Sequence, residues 1–144
     1  MSRLTLEQVS TILDAALAKG AELGFQPLTV VVLDDGGNIK GLKRADGAGP
    51  FRPQVAMGKA WGAVGMGVPS RVLEQRAIER PHFVNALAAA SDGRVIPVAG
   101  GVLIRDAGGE IIGSVGISGD TSDNDETCAV SGIEAAGLTA DAGN

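Results

Sequence analysis

The sequence is poor in the residues that usually announce chemistry. Its 144 residues contain one cysteine, one histidine, one tryptophan, three phenylalanines and no tyrosine. With Cys128 alone, an intrachain disulfide and a CxxC metal or redox pair are excluded. With His82 alone, a multi-histidine zinc site within one chain is excluded as well. No apolar run approaches the ~20 residues that span a bilayer. Arg3 leads into a polar, capped helix rather than the apolar core of a secretory signal. Both features point to a cytoplasmic protein away from membranes. Basic charge is also scarce: 12 Lys and Arg stand against 17 Asp and Glu, for a net charge of −5. Nucleic-acid affinity rests mainly on neutralising phosphates, so this balance disfavours that partner.

Glycine is abundant, at 22 residues. The glycines punctuate apolar runs instead of forming a low-complexity tract, which argues for close packing rather than disorder. A chain of this length fits one domain, residues 1–144, able to bury ~68–70% of its unfolded surface. With so few aromatics, the core must be aliphatic.

Thr5 and Gln8 form a capping box, and Leu6, Val9, Leu13, Ala16 and Leu17 recur at helical spacing, predicting a helix over about 6–22. Leu28 to Leu33 (LTVVVL) carries apolar residues on both alternating faces, as in a strand covered on both sides. A turn at 34–38 returns it as a second strand, Ile39 to Arg44. After the glycine-rich loop 45–50, a helix over about 53–65 carries Gly58, Gly62 and Gly65. Each glycine costs about 1 kcal/mol against alanine there, so its small face is expected to be buried. Ser70 is expected to cap a charged helix over about 71–79, and His82 to Ala90 a further helical segment. Val95 to Val98 reads as a short extended piece, followed by strands Val102 to Arg105 and Glu110 to Ser118. Asp123 with Glu126 predicts an N-cap for a last helix reaching about Gly137, with 138–144 frayed. A doubly buried strand needs layers on both sides, which gives an α+β, three-layer helix–sheet–helix sandwich.

The stretch from Val95 to Gly137 concentrates Ser, Asp and Glu beside bare glycine backbone. The spacing Gly113-x-x-Gly116-x-x-Gly119 matches neither the dinucleotide fingerprint nor the P-loop, and it runs into acid. Asp120, Ser122, Asn124 and Asp125 space their oxygens as a calcium loop would. The turn glycine is missing, however, and position twelve is Ser131, so helix capping explains the acids and no metal site is assigned. No Gly-x-Ser-x-Gly nucleophile elbow occurs. Cys128 in the first turn of the last helix reads as buried packing.

Four motifs occur in order: VVVLDDGGNIKGLKRADGA, QVAMGKAWGAV, PVAGGVLI and GEIIGSVGISGDTSDNDETCAVSGIEA. In this order and spacing they resemble the GlcG/HbpS-like family, which includes the C-terminal domain of PduO-type cobalamin adenosyltransferases. The chain departs where the family writes Pro-Gly-Gly-x-Pro-Ile, having Val98-Ala99-Gly100-Gly101-Val102-Leu103 without either proline. The resemblance implies a profilin-like architecture with a mainly antiparallel sheet of about five strands, homo-oligomerisation, and haem or a related tetrapyrrole as the leading ligand. His82, Met57, Met66 and Cys128 are the donors available to iron.

Carried over from the shared motifs, Arg44, Asp46, Gly100, Gly101 and Asp125 are expected to bind a ligand. In an alternative reading, the protein is an enzyme acting on a small organic acid. Arg44 and Lys59 then anchor a carboxylate, and Lys59, Glu126 and His82 form the catalytic set, with Glu126 or His82 as acid–base group. Against both stands a plainer assignment, in which Arg44–Asp46 and Lys59–Glu126 are salt bridges that hold loops together.

Overall fold

The protein was analysed as a computed structural model that describes residues 3–143. The chain begins with α1 (Leu6–Glu22), whose Thr5 cap accepts from the Gln8 amide while the Gln8 side chain accepts from the Thr5 amide. The hairpin β1 (Thr29–Asp34) and β2 (Ile39–Arg44) follows, then α2 (Arg52–Met66), α3 (Ser70–Glu79) and α4 (Pro81–Ala90). The second half comprises β3 (Gly101–Arg105), β4 (Ile111–Ser118), α5 (Ser122–Ala135) and β5 (Thr139–Asp141). All pairings are antiparallel and the strand order is β2-β1-β4-β3-β5.

Period-two alternation along β1 sorts the layers. Val30 and Val32 join Val9, Ile12, Leu13, Cys128, Ala129 and Ile133 in the core between the sheet and α1 with α5. Val31 and Leu33 face the other way and pack on Ala56 and Ala60 of α2. The sheet is therefore sandwiched, and β1 is buried on both faces as its composition demanded. No helix among the described residues is long and apolar enough to cross a membrane.

Bare glycines set the distance of α2 from the sheet. Gly116 and Gly101 stand opposite one another in the β3–β4 register. A Cβ at Gly116 would lie 2.0 Å from the Ala56 carbonyl oxygen, and one at Gly101 would lie 2.3 Å from that of Lys59. The helix backbone thus rests on the sheet backbone with no side chain between them. On the opposite flank of α2, Gly58 and Gly62 receive Ile96 and Val95. The small face is buried inside the domain.

Three sequence expectations change. Of the segment 138–144 expected to fray, Thr139–Asp141 pairs with β3 and Asp141 binds Arg105 at 3.0 Å, residue 144 lying outside the described residues. Ser70 does not cap α3. Its hydroxyl accepts from the Gly101 amide at 2.7 Å, because the glycine leaves room for it. The cap of α5 is Thr121, accepting from the Asn124 amide at 3.2 Å, which frees Asp123 and Glu126 for other partners.

The three helical and strand glycines are expected to respond differently to alanine. Gly116→Ala must push α2 off the sheet and should cost about 1–3 kcal/mol. Gly62→Ala meets only the yielding side chains of Val95 and Leu73, at 3.1 and 3.2 Å, and should cost less. Gly65→Ala, with only Trp61 ring atoms near at 3.7 Å or beyond, should stabilise by about 0.5–1 kcal/mol. Urea denaturation midpoints check the order.

Candidate functional site

Lys59, Gly100, Gly101 and Asp125 meet at the end of the sheet where β4 leaves and β3 begins. Lys59 is only 2% exposed, and its Nζ donates to the Ile117 carbonyl at 2.9 Å and to Asp125 Oδ2 at 3.1 Å. Asp125 is 1% exposed, and its second oxygen accepts from the Asp120 amide at 2.9 Å. Lys59 stands on α2 and Asp125 on α5, in opposite layers of the sandwich. The ammonium gets across because Gly100, at φ +120, presents no Cβ; one built there would lie 2.9 Å from Nζ. The pair is a staple between layers. Burial pushes the Asp125 carboxyl above its ordinary value, while the Lys59 ammonium and the Asp120 amide pull it back.

Glu126 turns the other way along α5. It accepts from Arg71 Nε at 2.9 Å, and the same guanidinium also reaches Asp123. Its hydrogen bonds to Glu126 first and to Asp123 second raise the Arg71 pKa, so it is a fixed cation. The ion pair of Lys59 is therefore with Asp125, one residue before the expected Glu126. Arg44 is exposed and donates to the Ala48 carbonyl at 2.8 Å, while Asp46 lies exposed beside it. His82 is exposed in the first turn of α4. The structure thus gathers Lys59, Gly100, Gly101 and Asp125, with Glu126 adjoining, and leaves Arg44 and His82 on other elements. Asp120 closes the α5 entrance. It accepts from the Gln26 and Thr121 amides and from Asn124, which together lower its pKa.

A different region offers space for a ligand. A groove of about 380 Å³ runs along the flank of α2, bounded by Leu33, Gly37 and Ile39 of the first hairpin and by the segment Gly93 to Ile96. Val55, Met57 and Trp61 of α2, with Phe51 at its N-cap, supply one wall. Arg94 lies over the Trp61 ring at 4.1 Å from the centroid, a cation–π contact that holds the guanidinium at the groove. No residue of α4 lines it, so His82 does not, and Met66 lines a separate pocket beside Leu87 and Val95. The scarcity of aromatics hid this site from the sequence: two of the chain's four aromatic residues are gathered in one wall, and only the tertiary fold shows it.

Two predictions follow from the polar knot and the thiol beside it. Lys59→Met leaves a buried carboxylate unpaired and should cost about 3–5 kcal/mol, whereas adding Asp125→Leu should recover part of that loss. Thermal unfolding of the single and double variants checks it. Cys128 is fully buried, and burial first, then Asp125 and Asp120, pushes its thiol from 9.0 up to about 11. A raised native pKa adds stability below pH 9 that is lost as pH climbs toward 11, because the unfolded thiol ionises first. The native protein should resist a thiol reagent at pH 8 and react on unfolding.

Comparison with known proteins places this geometry. The PduOC:haem complex aligns at 26% identity over 94% of this chain and 96% of that one, with a TM-score of 0.84. An HbpS double mutant from Streptomyces reticuli aligns at 28% identity over 93% and 87%, with a TM-score of 0.80. Protein ORFY from Klebsiella pneumoniae aligns at 25% identity over 92% and 90%, with a TM-score of 0.82. A search of curated proteins finds no match. The family model described as haem degrading protein HbpS-like matches residues 4–134. The chain belongs to the HbpS-like family.

Proposed function

We propose that this protein binds haem or a related tetrapyrrole in the groove between α2, the first hairpin and the segment Gly93 to Ile96. The supporting observation is the wall chemistry: an apolar floor with two aromatic rings, one soft donor and one cation held on Trp61. Leu33, Ile39, Phe51, Val55 and Ile96 suit the hydrocarbon face of a flat macrocycle, and the volume falls within the range of small-molecule sites. Met57 would supply a thioether to iron, and Arg94 would meet a propionate carboxylate. When bound, the group supplies redox-active iron. The chain's own residues hold it, exclude water from its face and fix its orientation. The fold-wide likeness to a protein crystallised with haem is consistent with this reading. Cys128 drops out as a donor because it lies fully buried in the α1–α5 core.

Homo-oligomerisation belongs to the same proposal. Ile39, Leu42 and Phe51 leave apolar surface uncovered beside the edge strand β2, at 56%, 38% and 73% exposure. A second subunit there would close the open side of the groove.

Hemin titration of the apoprotein is expected to give a saturable Soret shift. Met57→Leu should move the band position, and Arg94→Met should weaken binding about tenfold. The loaded protein should show a light-scattering mass that is a multiple of 14.5 kDa. A Soret band indifferent to both substitutions would remove the groove as the site.

A further inference from the structure

At the end of the sheet that carries Thr29, four side chains present hydrogen-bond donors with too few acceptors. Arg44, Thr29 and Ser118 form one row across β2, β1 and β4, because Thr29 pairs with Arg44 on one side and with Ser118 on the other. Thr29 shares the face of Val31 and Leu33, so the row looks toward the start of α2. From the first turn of that helix Arg52 reaches down and donates to Ser118 Oγ at 3.1 Å.

The hydrogen-bond accounting there is one-sided. A guanidinium only donates, so the Ser118 oxygen is the acceptor, and its own proton is left to be given away. Thr29 is fully buried, yet its hydroxyl has no partner among the described residues. A buried hydroxyl left unpaired is destabilising, and a ligand that accepts from it would remove that cost. Neither Arg44 nor Arg52 has a carboxylate within 4.0 Å among the described residues. Arg44 uses one nitrogen on the Ala48 carbonyl and keeps the rest of its donor fork. Two unneutralised cations and two hydroxyl protons without acceptors call for an anionic oxygen group.

We infer that Arg44, Arg52, Ser118 and Thr29 form a binding site for the carboxylate of a small organic acid. The site is separate from the tetrapyrrole groove, since none of these four residues lines it. Lys59 takes no part, because Asp125 and the Ile117 carbonyl already occupy its ammonium. The carboxylate lies against the two guanidinium groups and accepts from the Ser118 and Thr29 hydroxyls. Arg44 and Arg52, both exposed, swing to admit it.

Isothermal titration with sodium succinate, at ionic strength held constant with sodium chloride, tests the site. The expected result is saturable binding weakened about tenfold or more by Arg44→Met and by Thr29→Val. Thr29→Val is the decisive variant. It removes only the orphan hydroxyl, so the apoprotein should melt no lower than the wild type while its succinate affinity falls. An unchanged succinate affinity in a folded Thr29→Val variant would overturn the inference, as would the absence of saturable binding to the wild type. Should the valine variant fail to fold, Ser118→Ala serves the same purpose, with the same outcomes. Tighter binding of sodium phosphate than of succinate would also overturn the carboxylate assignment. Hemin titration of Arg44→Met should match the wild type, so that loss of this site and loss of the groove read out separately.

Discussion

The buried ion pair between Lys59 and Asp125 is the contact on which the rest of the structure depends. The sheet separates α2 from α5, and around its end the ammonium crosses to join the two layers. Its cost is large, since both charges leave water. That cost is met by the Ile117 carbonyl and the Asp120 amide, which complete the hydrogen bonding of the ammonium and the carboxylate. The crossing also requires that Gly100 carry no side chain, and Gly101 beside it must be bare for the Lys59 backbone to rest on the sheet. One lysine therefore explains the double glycine at the strand start and the buried carboxylate of Asp125 in α5.

The same arrangement divides the polar chemistry of the molecule. Lys59 and Asp125 neutralise each other in the interior, and Arg71 pairs with both Asp123 and Glu126. Among the cations of the described residues that have no acidic partner, Arg94 stands on Trp61 and Arg44 and Arg52 lie toward the other end of α2. Helix α2 is thus the axis of function. Its glycines seat it on the sheet, its aromatic flank bounds the groove, and its first turn delivers Arg52 to Ser118.

Much of this was legible in order along the chain. Apolar alternation in β1 predicted two covering layers, and the Thr5 box and the turn at 34–38 placed α1 and the first hairpin. The shared motifs pointed to Arg44, Asp46, Lys59, Gly100, Gly101, Asp125 and Glu126, and of these Lys59, Gly100, Gly101 and Asp125 meet, while Glu126 turns to Arg71 and Arg44 bonds the Ala48 carbonyl. The partners were less legible. A carboxylate at 125 and another at 126 look alike in sequence, yet on a helix they point about 100° apart. One enters the core and the other meets Arg71.

By itself the sequence determined the elements and the layering, because strand and helix periods, caps and glycine breaks are local properties of the chain. The tertiary structure alone decided which charges cancel and which remain. Lys59 is 66 residues from Asp125 and Arg52 is 66 residues from Ser118. Such pairings depend on sheet register and on how closely α2 approaches the sheet. Both are set by packing across the whole domain, so no local pattern could encode them.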